Sequence, residues 1–464
     1  MKNIRFNIIS AVAVSGMLLF ATSCSKTFYT KANVNPNQPS VVPPSTLLPM
    51  IEVSLTYAMG GDGARYAGIF DQQGYGANRE QAAIQAYQIT GTNLPDNFWN
   101  NMYANDMNNA YTLMNMASSN GYNRYAGIAS ILMAHSMQCT VDFWGSVPYS
   151  QAFLGSANIN PAYDQDQAIY NNMISLLNIA IADLQNPSPG ALIPSGDDLI
   201  YGGNAQLWIA FANAEKARIY IHQCKHSNAA MCTAALAAAD SAIAEGFTNA
   251  QVTYSGIPNS SPVYQFNTGW GDITYVTSGG VHATLYDTMV ALTDPRVNVY
   301  FDTAGSATAA TPVVGMGAYY GSPNSPVELI SKEEVEFIQA EATLRGAGLG
   351  TIAQAQIYYA NAITDNFTKL GIAASAPAYI AANPLPVANN AAAQYVVGKQ
   401  EWMALFMNPE AWACWRRTGA PALQSANVGL QIPRRMVLPN DEITLNANAI
   451  QNETLWSPII FWDK

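Results

Sequence analysis

The chain has 464 residues, of which 49% are hydrophobic and only 11% charged, with a net charge of -11. That length can bury a large core, as two or three domains or one large one, while the charged fraction lies well below the roughly 25% of ordinary soluble domains. No run of Lys or Arg is present, which excludes nucleic acid as a partner, because phosphate binding needs clustered cations.

Lys2 and Arg5 precede an apolar stretch from Ile8 to Phe20, followed by Ala21, Thr22, Ser23 and Cys24. The apolar run is too short to span a bilayer and has the length of a secretory core. Small residues ahead of a cysteine resemble a bacterial lipobox, with residues 1–23 removed and Cys24 lipidated; a plain signal peptide with Cys24 as a free thiol is the alternative. No later segment is apolar over enough length to cross a membrane, so the protein is expected to be anchored to a membrane without spanning it. Residues 24–45 are polar and Pro-rich and read as a tether. The folded domain is expected over 46–464.

Helical patterning then dominates. Asp164 with Gln167 reads as a capping box, followed by Ile169, Met173, Leu176, Leu177, Ala180, Ile181 and Leu184 on one face. A second helix is expected from Ala205 to His222, and an Ala-rich third ending at Gly246. Between them, Cys224 and Cys232 can form a disulfide in an export compartment. His222 and His226 share a face if helical, where a metal is conceivable; two histidines at a helix end is the plainer reading. Ser331 with Glu334 reads as another capping box. Val335, Ile338 and Ala342 form a stripe, Gly346 reads as the C′ residue, and a returning helix follows. Helix pairs of this kind predict a mainly α fold, a TPR-like helix-pair scaffold wound as an α-α superhelix. Two loop-rich excursions, at about 250–330 and 372–395, are expected to form an irregular subdomain.

No His-Glu-x-x-His, Gly-x-Ser-x-Gly or Walker motif occurs. The Gly346–Gly350 stretch follows a helix, unlike a dinucleotide fingerprint, which follows a strand. The only histidines are His135, His222, His226 and His282, without local support for a triad. Glu333, Glu334, Glu336 and Glu341 could supply the paired carboxylates of a glycosidase, but Glu334 caps, and Glu336 and Glu341 fall on different faces. The absence of a catalytic pattern favours a binding protein, with no cofactor or catalytic residue assigned.

Four stretches carry a resemblance: Ile131–Gly155, "ILMAHSMQCTVDFWGSVPYSQAFLG"; Ala291–Asp302, "ALTDPRVNVYFD"; Ser331–Gly346, "SKEEVEFIQAEATLRG"; and Lys399–Leu423, "KQEWMALFMNPEAWACWRRTGAPAL", followed by "IPRRMVLPNDE". Together with the lipobox, these are similar to the SusD/RagB family of Bacteroidetes outer-membrane nutrient-binding lipoproteins, in its SusD-like subgroup. The resemblance implies a lipid anchor facing outward from the outer membrane. It also implies a SusC-like TonB-dependent transporter as partner and an oligosaccharide ligand as cargo, with peptide or another nutrient as the alternative and a glycosidase as the second. It places Trp144, Tyr149, Trp402, Trp412 and Trp415 in the scaffold, with Arg416 and Arg417 tying helix ends or carboxylates together. Trp99 and Tyr103, four apart, suit a buried helix face.

Sugars are held by flat rings and planar polar groups, and loops on a rigid scaffold are where such groups stand. The ligand-binding candidates are therefore Trp270 first, flanked by glycines, with Tyr264, Asn267, Asp272 and Tyr275 beside it. Tyr319 and Tyr320 form a second set, and Gln73, Tyr75, Asn78 and Arg79 a third. The alternative is that these rings pack the excursion onto the scaffold.

Overall fold

The computed structural model describes residues 42–464 except 91–94, 226–228, 269–271, 276–283, 303–314 and 347. Helix α1 (Pro44–Ala58) passes through a π-helical turn, Met59–Gly63, into α2 (Ala64–Phe70), followed by strand β1 (Tyr75–Gly76) and α3 (Arg79–Gln85). α4 (Pro95–Asn100) continues through a second π-helical stretch, Asn101–Met107, into α5 (Asn108–Asn120). Then come α6 (Asn123–Trp144), β2 (Val147–Pro148), β3 (Tyr163–Asp164), α7 (Asp166–Gln185), α8 (Ala205–His222) and α9 (Ala229–Ala244). The excursion runs from β4 (Ala250–Thr253) through α10 (Pro262–Thr268), β5 (Ile273–Thr274), α11 (Thr284–Ala291), α12 (Val297–Tyr300), β6 (Phe301–Asp302), β7 (Gly315–Met316) and α13 (Ala318–Gly321) to β8 (Pro326–Ile330). The scaffold resumes with α14 (Lys332–Arg345), α15 (Ile352–Lys369), α16 (Ala376–Ala382), α17 (Asn390–Ala404), α18 (Glu410–Thr418) and α19 (Asn440–Leu445).

The fold is mainly α, as the pattern predicts. α6 packs on α7, α8 on α9 and α14 on α15, and successive pairs meet through α7–α8 and α9–α14. Small residues set these distances: a Cβ on Gly127 of α6 would lie 2.9 Å from the Ala180 carbonyl oxygen and from Leu184 Cγ on α7. Gly127→Ala is therefore expected to force the two helices apart and destabilise the fold by about 1–3 kcal/mol, the range for overpacked cores. Thermal unfolding of the variant measures it.

Among the described residues, four two-stranded antiparallel sheets interrupt the helices. β4 and β8 pair from Ala250↔Ile330 to Thr253↔Pro326, so the excursion leaves and re-enters the scaffold at one point. The stretch at 372–395 differs from expectation: it contains α16 and the start of α17, and Tyr379 and Ala393 are buried in the core around Phe337 and Tyr359.

Three local expectations are corrected. α7 starts at Asp166 after Gln165, without a side-chain cap; Asp164 instead accepts from the Tyr149 and Ser150 amides at 3.0 and 2.7 Å, bracing the β2–β3 turn. α14 is not amphipathic: every residue from Glu333 to Leu344 is buried, because α8, α9, α15 and α17 all pack on it. Gly346 has φ -80° rather than a left-handed value, and a side chain there would strike Leu349 Cδ1, 2.1 Å from the ideal Cβ.

Cys224 and Cys232 form a disulfide joining the end of α8 to α9, with Cα atoms 5.3 Å apart, while Cys139 and Cys414 are buried free thiols. No helix among the described residues is long and apolar enough to cross a membrane.

Candidate functional site

The interior is held by charge as well as by hydrophobic packing. The Arg218 fork on α8 donates to both Glu334 oxygens at 2.6 and 2.7 Å and to the Leu329 carbonyl at 2.8 Å. Arg417 on α18 reaches Glu341 at 3.1 Å, Glu401 at 2.8 Å and Glu410 at 3.3 Å. Lys369 pairs with Glu328 and Glu333. These carboxylates, buried except for the half-buried Glu328, are matched to cations, the arrangement in which buried ions persist. Glu336 is also buried, and burial pushes its carboxyl up to about 9. The α14 glutamates are thus placed as framework groups rather than as a pair flanking an open cleft.

Among the described residues, one cluster brings metal-ligand types together: Asp142, His222 and Glu410, with ligand atoms within 4.8 Å of one another. Both His222 nitrogens are engaged, Nε2 with Glu410 at 2.7 Å and Nδ1 with the Tyr170 hydroxyl at 2.9 Å. Asp142 accepts from Trp462 Nε1 at 2.9 Å and from the Tyr170 hydroxyl. The arrangement is a closed network binding the C-terminal segment to α6 and α8. His226 lies outside the described residues. Burial alone would lower the His222 pKa, but Glu410 and Asp142 outweigh it and hold it up at about 9. A histidine raised in the folded state contributes stability that is complete below its ordinary value of 6.5 and is lost as pH rises through about 9. The thermal midpoint should therefore fall between about pH 7 and about pH 10, and His222→Gln should flatten that fall.

Two rings of the "DFWGSVPY" stretch, Phe143 and Trp144, belong to this framework, while Tyr149 is half-buried. Phe143 and Trp144 are buried, and the Trp144 indole donates to the Val437 carbonyl at 3.0 Å. Trp99 packs on Tyr103 with centroids 4.5 Å apart and planes tilted by 32°. Trp402 and Trp412 are fully buried and Trp415 nearly so. Arg416 donates to the Asp142 and Arg434 carbonyls at 2.8 and 2.9 Å.

The loop candidates divide differently. β1 pairs with β5, Tyr75↔Thr274 and Gly76↔Ile273, so two candidate stretches far apart in sequence lie side by side. The Ala77 amide donates to the Asp272 carbonyl at 2.8 Å. Arg79 grips both Asp272 carboxylate oxygens at 2.9 Å, with its own side chain 60% exposed and that of Asp272 only 7%. Asp272 is therefore a counter-ion beneath the surface, and Arg79 and Asn78 are the exposed groups, with Tyr75 half-buried beside them. Gly76 is required for this junction, since a Cβ there would fall 1.9 Å from the Gln81 carbonyl oxygen. Gln72, Arg79 and Tyr87 all hold positive φ, 64°, 48° and 56°. Backbone strain of this kind in non-glycine residues gathers at ligand clamps and other functional sites. Gln73 is buried and donates to the Trp402 carbonyl at 2.6 Å, fastening this loop to α17.

Tyr275 and Tyr320 face inward. Both pack on Phe406, with centroids 5.6 and 5.1 Å away, and Tyr300 stacks on the same ring at 4.9 Å. They fasten the excursion to the scaffold; Tyr319, half-buried, meets the edge of Tyr320 at 4.8 Å. Tyr264 is half-buried in α10. Asn267 lies in the same helix, and Trp270 falls outside the described residues.

Sequence reasoning passed over one feature. A cleft of about 820 Å³ runs along α1 and the second π-helical stretch, lined by Met50, Val53, Tyr57, Asn101, Asn105 and Asn109 among others. The four-residue spacing of the asparagines was the available signal.

The sequence profile of a family described as starch-binding and associating with the outer membrane, SusD-like, matches residues 36–439. None of the curated proteins compared matches the chain. Solved structures share the fold. A chitin-binding SusD homologue from Flavobacterium johnsoniae superposes with a TM-score of 0.74 at 22% identity, covering 91% of this chain and 97% of its own. A SusD/RagB family protein from Bacteroides thetaiotaomicron gives 0.70 at 20% identity, covering 91% and 99%. A SusD homologue from Bacteroides uniformis gives 0.71 at 21% identity, covering 91% and 100%.

Proposed function

Because the chain belongs to the SusD-like family, described as starch-binding and associating with the outer membrane, we propose that it captures an uncharged oligosaccharide at the outer membrane and passes it, unaltered, to a SusC-like TonB-dependent transporter. The observation that carries the reading is the β1–β5 junction, which sets exposed Asn78 and Arg79 and the half-buried ring of Tyr75 together on a strained, firmly anchored loop. A ring beside carboxamide and guanidinium donors is the chemistry that holds sugar faces and hydroxyls. Trp270 and Asn267, three residues apart and close in sequence to Asp272, are assigned to the same site. The chitin-binding relative supports a neutral glycan as cargo.

Residues 1–23 are assigned as a signal peptide, Cys24 as the lipidated residue facing outward on its anchor, and 24–45 as the tether of a domain covering 46–464. Three of the four glutamates that could suggest hydrolysis, Glu333, Glu334 and Glu341, are committed to interior cations, which supports capture without chemistry.

Calorimetric titration of the mature protein with malto- and chito-oligosaccharides, alongside Trp270→Ala and Tyr75→Ala, tests this. Saturable binding, weakened in both variants and leaving the sugar intact by chromatography, is the expected result. Binding of peptides but of no sugar, or release of shorter sugars, overturns it. Mass spectrometry of the native protein should find acyl chains on Cys24.

A further inference from the structure

The cleft on α1 is large enough to hold a ligand in its own right, at about 820 Å³ against the 300–1,000 Å³ of ordinary binding pockets. None of the residues lining it is charged. One wall offers Met50, Val53 and Tyr57, which are 48%, 39% and 36% exposed. The other offers Asn101, Asn105 and Asn109, one helical turn apart. These carboxamides are fixed in a row: Asn105 Nδ2 donates to Asn101 Oδ1 at 2.9 Å, and Asn109 Nδ2 to the Asn105 carbonyl at 2.6 Å. Each keeps further donor and acceptor capacity. An apolar rail facing a ladder of neutral amides suits an uncharged chain carrying hydroxyls along its length. A charged peptide or lipid headgroup would find no counter-ion among these lining residues.

Two further observations point to a ligand. The amide wall is π-helical from Asn101 to Met107, and such stretches are rare and gather at functional sites. The cleft also reaches α10: the Tyr57 ring meets Phe266 edge-on at 6.0 Å, and Phe266 directly precedes Asn267 in sequence, the residue assigned above to the loop site. The Arg65 guanidinium lies over Phe266, 3.9 Å from its centroid, helping to fix the ring at this junction. From Ser45 to Tyr57 the rail is roughly 18 Å long at the rise of an α-helix, the span of an oligosaccharide rather than of one sugar.

We infer that this cleft is a second glycan subsite, continuing the track of the loop site and giving preference to longer uncharged oligosaccharides. The inference rests on the proposed glycan capture but is tested apart from it. The mature protein and a Met50→Ser/Val53→Ser/Asn105→Ala variant, all at solvent-accessible positions, are titrated with malto- and chito-oligosaccharides from disaccharide to octasaccharide, after melting curves establish that both fold. In the wild type, long members of the binding series should bind about tenfold or more tighter than short ones. The variant should lose that advantage while binding short members as before. Length-independent binding by the wild type, or an unchanged advantage in the variant, overturns the second subsite and leaves the loop site standing. A variant that keeps its glycan profile but loses association with the transporter also overturns it, marking the cleft as a protein interface. No binding of any sugar removes both.

Discussion

Arg417→Met is expected to cost about 3–5 kcal/mol, the usual consequence of removing one partner from a buried ionic network, out of a total of about 5–15 kcal/mol for a typical fold. The guanidinium is fully buried and serves three helices at once, reaching Glu341 on α14, Glu401 on α17 and Glu410 on α18. The three carboxylates would not suffer equally. Glu341 keeps Arg345 at 2.6 Å, and Glu410 keeps His222 at 2.7 Å. Glu401 loses its charged partner, and burial already raises its pKa above the ordinary carboxylate range with Arg417 present. Circular dichroism melting should show a large fall in midpoint or no folded protein. Adding Glu401→Gln should recover part of the loss, because it removes the stranded carboxylate. An unchanged midpoint for Arg417→Met, or no recovery in the double variant, would show that this network does not hold the scaffold together.

Arg79→Ala is expected to weaken binding of every oligosaccharide that binds by about tenfold or more, with little change in melting. The residue has two duties at the β1–β5 junction. Its exposed face offers donors to a ligand, and its fork on buried Asp272 fixes the start of α3 against β5. Alanine removes the first and leaves Asp272 without the fork, so the loop loosens where the site must be rigid. The pair lies at the rim, away from the core network, so the effect should appear in affinity rather than in global stability. Arg79→Lys keeps the charge but not the two-bond geometry, and should fall between. Equal affinities for all three proteins in calorimetry would remove Arg79 from the site.

Much of the scaffold is legible along the chain because its causes are local. Asn204 caps α8, accepting from the Gln206 and Leu207 amides, and the helix runs from Ala205 to His222 as the pattern indicates. Where a local cue conflicts with a distant demand, the distant demand prevails: Asp164 could cap α7 but braces the β2–β3 turn instead. α14 misleads for a related reason. Its apolar stripe suggests one buried face, yet cations from other helices let its glutamates be buried as well: Arg218 to Glu334 is a separation of 116 residues and Arg417 to Glu341 one of 76. The number of neighbours around a helix is not written in its own sequence.

The candidate site is half legible on the same grounds. Composition marks out both Tyr75–Arg79 and the stretch around Asp272, but the strand pairing that joins them bridges 193 residues between Arg79 and Asp272. Loop aromatics are ambiguous by nature, since a ring that could stack on a sugar can equally fill a core. Tyr275 and Tyr320 resolve to the second use because Phe406 stands ready to receive them.

The most direct test of glycan capture by this loop is hydrogen exchange of the mature protein, read by mass spectrometry with and without a saturating oligosaccharide. Slowed exchange in the peptides covering 72–79 and 262–275, with the α6–α9 helices unchanged, is the predicted result. Protection confined to other segments, or no protection anywhere while the sugar is bound, would contradict it.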